Sequence, residues 1–247
     1  MDSELLLFIS IGFVAQLVDG ALGMAFGILC SSGLLALGLP PALASASVHA
    51  AETATTAMSG LSHFYNRNLD KRLFLKLVVP GVLGGIFGAY LLTGLPERAV
   101  RIFVAFYLVA MAALIFGRAL GHIQRKRHLP PQLLGVGGGF LDAIGGGGWG
   151  PLVASALLAT GNEPRRSIGT VNCAEFFVTV AISVTFLLHL DISRYGHVVL
   201  GLIIGGGMAA PLAGYLLRIM PQKLALSLVG VVVSGQAVVT VYHLVTR

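Results

Sequence analysis

Long apolar stretches separated by short polar loops constrain this chain more than any other feature. They run near 5–37, 42–65, 73–94 and 97–119, and again near 132–160, 165–188, 197–218 and 222–245. All but the first of each set hold about 20 residues or more, enough to cross a 30 Å hydrocarbon core at about 1.5 Å per residue. The bilayer core offers no water, so the backbone must satisfy its own hydrogen bonds, and segments of this length do so as helices. Only 11% of the 247 residues are charged, against about 25% in soluble domains, and mean hydropathy is +0.88. The expectation is an all-α, polytopic membrane protein with the lipid bilayer as its first partner.

Charge and cysteine usage narrow the function classes. The net charge is +6 with a pI near 9.7, but the basic residues sit between the apolar segments. The densest cluster, Arg125, Lys126 and Arg127 flanked by His122 and His128, fits a cytoplasmic loop under the positive-inside rule, so no nucleic-acid partner is expected. Cys30 and Cys173 lie in apolar stretches without metal-ligand spacing, and neither a metal nor a cofactor is expected. The opening MDSELLLFIS has two acids and no basic n-region, which speaks against a cleaved signal peptide and for an outward-facing N-terminus.

The chain is written twice. A shift of 123 positions brings Asp19 onto Asp142, Gly23 onto Gly146, Phe26 onto Trp149, Gly27 onto Gly150, Glu52 onto Glu175 and Thr56 onto Thr179. After a small insertion, GAYLLTGLP (88–96) matches AGYLLRIMP (213–221). Chance matches in apolar sequence pair Ala, Leu and Gly; they do not pair rare membrane acids in the same order. The expected division is a first repeat over 1–121, a basic cytoplasmic linker over 122–131 and a second repeat over 132–247, each half holding four hydrophobic segments.

The first segment of each half is interrupted by glycines, as in GGGFLDAIGGGGWGP (137–151). If that segment crosses the membrane, the halves are parallel; if it enters and returns, they are inverted. Counting Lys and Arg by loop gives ten against six for crossing and twelve against four for re-entry. The stronger asymmetry favours inverted repeats with a broken or re-entrant first helix and both termini outside. The leading arm of the second half, from Gln132 to Leu141, would then reach only about 15 Å as helix.

Irregular backbone at membrane depth is tolerated only where it is buried in protein or lines a wet cavity. Pro151 suits the first turn of a helix, so a half-helix is expected to start near 147–151, with a twin near Gly23–Gly27. Free N–H groups and the dipole make such an end an anion site, and two of them meeting would form a transporter's substrate site. The candidate substrate contacts are Asp19, Gly23, Phe26, Gly27, His49, Asp142, Gly146, Gly147, Gly148, Trp149, Gly150 and Asn172. Gly81, Gly84, Gly85, Gly88 and Gly205–Gly207 read instead as close-packing positions in full-length helices. No lysine follows the glycine run as a P-loop requires, and no strand precedes it as a dinucleotide fingerprint requires.

Asp19, Asp142, Glu52 and Glu175 are carboxylates in apolar segments, functional candidates by default. His49 lies three residues before Glu52, and Asn172 three before Glu175, one helical face in each case. Histidine titrates near neutral pH and asparagine does not, so the halves are not equivalent. Glu52, Glu175 and His49 are the candidate coupling or gating residues. For the aspartates two roles stay open: lining the substrate path, or capping the exposed N–H groups of the break. Ser45, Ser47, Thr53, Thr55 and Thr56 read individually as bonds back to their own helix, and as a set beside Glu52 as a cavity wall. Arg165 and Arg166 read as interfacial anchors near the cytoplasmic mouth.

QLVDGALGMAFG, GLPPALASASVH, GGFLDAIGGGGWGP and TVNCAEFFVT together resemble the sulfite exporter TauE/SafE family, and the likeness covers nearly the whole chain. The resemblance implies a bacterial plasma-membrane protein that moves a small sulfur-containing anion, such as sulfite, sulfoacetate or a related sulfonate, most often outward. The first half departs from the glycine-rich pattern, with Met24, Ala25 and Phe26 where the second half has small residues or tryptophan. The expected function is a secondary transporter binding a small anionic substrate between two half-helix ends. An importer or channel with structural carboxylates is the rival reading. No nucleophile–base pair or cofactor motif supports an enzyme, and a homodimer stays open.

Overall fold

The computed structural model describes residues 2–22, 24–121, 129–159, 164–219 and 222–246, and among them every regular element is helical. In chain order these are α1 (Asp2–Leu22), α2 (Phe26–Ala36), α3 (Pro41–Tyr65), α4 (Lys71–Gly94) and α5 (Glu97–Ala119). The second half gives α6 (Pro131–Gly145), a π-helical turn (Gly150–Ala154), α7 (Ser155–Ala159), α8 (Pro164–His189), α9 (Gly196–Ile219) and α10 (Gln222–Thr246). Among the described residues, five stretches are long and apolar enough to span a bilayer: Lys71–Gly94, Arg98–Ala119, Arg165–His189, Ser193–Leu212 and Leu226–Thr246. The chain is a polytopic, all-helical membrane protein. Of the expected features, Gly23 and the basic cluster at 122–128 lie outside the described residues.

The helix boundaries follow local chemistry. Pro40–Pro41, Pro96 and Pro130–Pro131 open α3, α5 and α6, where a missing N–H costs nothing. The Asp70 carboxylate caps α4 by accepting from Arg72 N and Leu73 N. In the second half the helix runs further than the glycine count suggests: α6 passes through Gly137–Gly139 and Asp142 and ends only at Gly145. Its 15 residues reach about 22 Å rather than 15 Å. Gly138 and Gly139 serve packing instead of breaking the helix. A β-carbon on Gly139 would run into the Gly81 carbonyl of α4, and one on Gly138 would meet Val153 at 2.5 Å.

The halves interlock. The principal partner of α1 is α9, of α4 it is α6, of α3 it is α8 and of α5 it is α10, each pair drawn from opposite halves. Repeat-related contacts recur atom by atom. A β-carbon on Gly12 would fall against the Leu202 carbonyl at 2.5 Å, and one on Gly135, its repeat partner, against the Leu77 carbonyl at 2.7 Å. Thr56 and Thr179, also repeat partners, lie with their hydroxyls 3.3 Å apart where α3 crosses α8. Thr53 meets Ser183 beside them at 3.3 Å, while Gly60 lies against Asn172 and Cys173, so α3 and α8 run antiparallel. Gly81, Gly84, Gly85, Gly88 and Gly205 all sit where a side chain would collide with a neighbour, as expected of close-packing glycines; Gly207 has nothing within 4 Å.

Candidate functional site

The two breaks meet. The chain leaves α6 through Gly146 in the left-handed conformation (φ 68°) and Gly147 at φ 153°, backbone that L side chains rarely adopt. The Gly146 N–H donates to the Asp142 carbonyl at 2.7 Å, closing the helix end. Carbonyls left over at that end are covered from the first half. Ser45 Oγ donates to the Ala143 carbonyl at 2.5 Å and Ser31 Oγ to the Gly146 carbonyl at 2.7 Å. Gly27, at the start of α2, lies so close that a β-carbon there would sit 2.6 Å from Gly147 Cα and 2.5 Å from Glu52 Oε1. The repeat-related contact places a Gly150 β-carbon 3.0 Å from Met24 Cβ.

The aspartates cap the second arms. Asp142 Oδ1 accepts from Gly148 N at 2.7 Å and Trp149 N at 2.9 Å, and Asp19 Oδ1 accepts from Phe26 N at 3.1 Å. Each acid thus holds the first donors of the helix that follows its own break, seven residues on in both halves. A carboxylate at a helix N-terminus is stabilised by those donors and by the dipole. In this conformation the anion at each half-helix end is the protein's own.

His49 approaches Asp142 from α3, Nε2 to Oδ2 at 3.3 Å, with both side chains fully buried. Its Nδ1 lies 2.8 Å from the Ser45 carbonyl, which can only accept, so Nδ1 carries a hydrogen. A second hydrogen on Nε2 makes the contact an ion pair. Glu52, one turn along α3, brings a carboxylate oxygen within 4.8 Å of ligand atoms of both His49 and Asp142, a grouping that could hold a cation. Asp19, Asp142 and Glu175 all lie within electrostatic reach of Glu52. Glu175 and Asn172 are only partly buried, and among the described residues neither side chain makes a hydrogen bond.

Other expected contacts have structural tasks. Trp149 is wholly enclosed, its ring against Gly81 and Gly138 and its Nε1 donating to the Val171 carbonyl at 3.2 Å. Phe26, its repeat partner, is buried against Gly206. Thr53, Thr55 and Thr56 bond back to the carbonyls of His49 and Glu52, whereas Ser45 reaches across to α6. Arg165 and Arg166 are exposed at the start of α8.

Tyr107 and Arg118, which no sequence pattern singles out, lie beside the breaks. Tyr107 of α5 packs its ring on Gly145 at the last residue of α6, and its hydroxyl is buried without a partner. Arg118, near the end of α5, directs Nη1 to Met24 Sδ at 2.8 Å and Ser155 Oγ at 2.5 Å, so one guanidinium joins the first break to the start of α7. No acid pairs with it among the described residues. Both sit in an ordinary apolar span; a tyrosine and an arginine eleven residues apart on one helix face were the only signal.

Comparison with known proteins agrees with this picture. The family model for the sulfite exporter TauE/SafE matches residues 8–240. The chain is also 40% identical over 242 residues to a protein of Bacillus subtilis (strain 168) named probable membrane transporter protein YtnM, covering 94% of this chain and 79% of the relative. No solved structure matches. Interlocked repeats, capped breaks and a matching family model over almost the full length lead to one assignment: the chain belongs to the sulfite exporter TauE/SafE family and is a membrane transporter, not an enzyme.

Proposed function

We propose that this transporter exports a small sulfur oxyanion, sulfite or a related sulfonate, by alternating access across its two broken helices. The observation that carries the reading is the contact between the breaks, Gly27 on Gly147 and Met24 on Gly150. Irregular backbone from both halves, placed face to face, is how transporters of this type build a substrate site. The two turns touch, so this conformation is the closed one at that point, and passage requires them to part. Asp19 and Asp142 then hold the second arms together from within, and the glycines at 27, 146–148 and 150 let substrate approach the backbone. His49, Glu52 and Glu175 couple or gate the movement, with Asn172 in the histidine's place in the other half.

The antiparallel run of α3 against α8 supports inverted repeats. Were the broken helices to cross the membrane, those repeat-related helices would be parallel; a first helix that turns back makes them antiparallel. With the charge asymmetry of the loops, this supports a plasma-membrane protein with both termini outside. An inside-negative potential of 100 mV favours exit of a monovalent anion by about 2.3 kcal/mol, which supports export.

The reading is tested by flux into right-side-out and inside-out proteoliposomes, with sulfite, sulfoacetate, thiosulfate, sulfate and chloride supplied in turn, with and without a pH gradient. Saturable sulfite or sulfonate flux, abolished in Gly147→Leu, is the expected result. Unsaturable flux of every anion would make the protein a channel, and equal flux in the mutant would remove the breaks from the pathway.

A further inference from the structure

His49 Nε2 and Asp142 Oδ2 face each other at 3.3 Å, with both side chains at most 1% exposed. The other polar atom of each is committed elsewhere. His49 Nδ1 donates to the Ser45 carbonyl, and Asp142 Oδ1 accepts from the Gly148 and Trp149 amides. Two lone-pair atoms are therefore left facing each other, and they need a positive charge between them. A hydrogen on a charged ring would draw the pair to about 2.7–2.9 Å, the usual length of a charged N–H···O bond. The separation is instead that of two ligands on one ion. Atoms each about 2.1 Å from zinc, at a tetrahedral angle, lie about 3.4 Å apart.

Glu52 supplies a third ligand. One of its carboxylate oxygens, His49 and Asp142 offer ligand atoms that all lie within 4.8 Å of one another. Glu52 is 5% exposed, and its Oε2 has no hydrogen-bond partner. An ionised oxygen there lacks a donor and a protonated one lacks an acceptor, so the protein alone satisfies neither form of the acid. A metal ion does. His49 and Glu52, three apart on α3, share one helix face, and Asp142 closes the set from α6, 93 residues from the histidine. No spacing motif announces such a set. The bond from His49 Nδ1 to a backbone carbonyl is the outer contact that orients metal-binding imidazoles and leaves the Nε2 lone pair free. The donor types select the ion: oxygen-only cages suit calcium or magnesium, whereas an imidazole with two carboxylates suits a divalent ion of the zinc class.

We infer that His49 Nε2, Asp142 Oδ2 and the Glu52 carboxylate bind one divalent transition-metal ion of the zinc class, Glu52 turning its carboxylate inward to complete the set. The ion ties α3 of the first half to the end of α6 in the second, on the aspartate that caps the second arm, and so holds the breaks together. The repeat offers no twin, because Asn172 takes the place of His49. The site stands whatever the substrate is; only its restraint on transport rests on the reading above.

The test titrates untagged protein in detergent with zinc, with cobalt(II) as a coloured substitute and calcium as the control cation. Wild type should take up one equivalent of zinc, unfold at a higher temperature with it, and show the visible absorption of four-coordinate cobalt; calcium should do neither. His49→Asn, which copies the other half, and Glu52→Gln should each weaken zinc binding by at least the roughly 10–100-fold that loss of even an outer-shell partner costs. His197→Asn, at an exposed position on α9, should bind as wild type does. Glu52→Gln carries the test if the histidine variant does not fold. Sulfite flux in wild-type proteoliposomes should fall severalfold with zinc and recover with a chelator, while flux in His49→Asn should not respond. No stoichiometric uptake by wild type, or equal zinc affinity in His49→Asn, overturns the site. Zinc bound at these residues with flux unchanged overturns the restraint alone. A wild type that moves no oxyanion overturns the transport reading, and the titration still decides the site.

Discussion

Replacing Gly147 by alanine should damage this protein more than any other single methyl group added to the glycine run. At φ 153° the residue occupies backbone that costs an L side chain about 1–3 kcal/mol. The added β-carbon would also overlap Ile28 N and the carbonyl carbon of Gly27 and come within 2.7 Å of Gly27 Cα, all backbone atoms of the other half. Overpacking typically costs about 1–3 kcal/mol, and backbone yields less readily than a side-chain tip. Together the loss is about 4 kcal/mol, a large share of the roughly 5–15 kcal/mol that holds a domain folded. Gly137→Ala is the matched control. Nothing lies within 4 Å of its β-carbon, and the helical interior gains about 1 kcal/mol from alanine. Trp149 is the chain's single tryptophan and sits two residues past the mutated glycine, so its fluorescence reports unfolding in mixed detergent and SDS micelles. The two variants should differ by about 5 kcal/mol, with opposite signs relative to wild type. Equal stabilities would refute the close meeting of the breaks on which the transport reading depends.

Asp142→Ala should cost about 3–6 kcal/mol, because the Gly148 and Trp149 amides lose a charged acceptor in a buried place; the SDS titration above measures it, and Asp142→Asn should recover part of the loss. Trp149→Phe should cost about 1 kcal/mol for the Val171 hydrogen bond plus a small cavity, while Trp149→Ala should cost about 3–5 kcal/mol in the same titration. Arg118→Gln should raise the KM for sulfite severalfold while leaving sulfite-free unfolding near wild type, read from flux against concentration. At the exposed corner before α9, the Ser193 hydroxyl and amide hold the Asp191 carboxyl below its ordinary range. A lowered folded-state value means that this turn is favoured above the ordinary carboxylate range and loses the contribution as pH falls through the folded value. In Ser193→Ala the Asp191 titration should move upward, as followed by NMR.

The scaffold was legible from sequence because it obeys two simple rules. Apolar length gave the helices, and the order of rare acids gave the repeat; Asp19 and Asp142 do stand at matching breaks. The glycine run was harder to read. Glycine is both a helix breaker and a close-packing residue, and only the path of α4 shows that Gly138 and Gly139 pack while Gly146 and Gly147 turn. At the second break His49, Glu52 and Asp142 were each legible as candidates, but their contact was not. His49 and Asp142 are 93 residues apart, and their contact depends on α3 of one half reaching the end of α6 in the other. Tyr107 carries no pattern that separates it from an interfacial aromatic.

What the repeat shares and what it does not divides the protein into scaffold and chemistry. Shared positions are those that hold the breaks shut: the capping aspartates, the glycines where the turns touch, the aromatic rings of Phe26 and Trp149 on Gly206 and Gly81, and the threonines at the crossing of α3 and α8. Matched contacts of that kind hold both breaks closed and by themselves favour neither. Direction needs something unshared. His49 corresponds to Asn172, and Tyr107 to Val232, an exposed aliphatic position on α10. Both exceptions fall near the second break, His49 on Asp142 and Tyr107 on Gly145. The same aspartate that caps the second arm is therefore also the group that a basic ring contacts. A proton or ligand arriving there acts directly on the carboxylate that keeps the second half-helix in place. Among the described residues Asp19 has no histidine contact, so its own arm is held without that link.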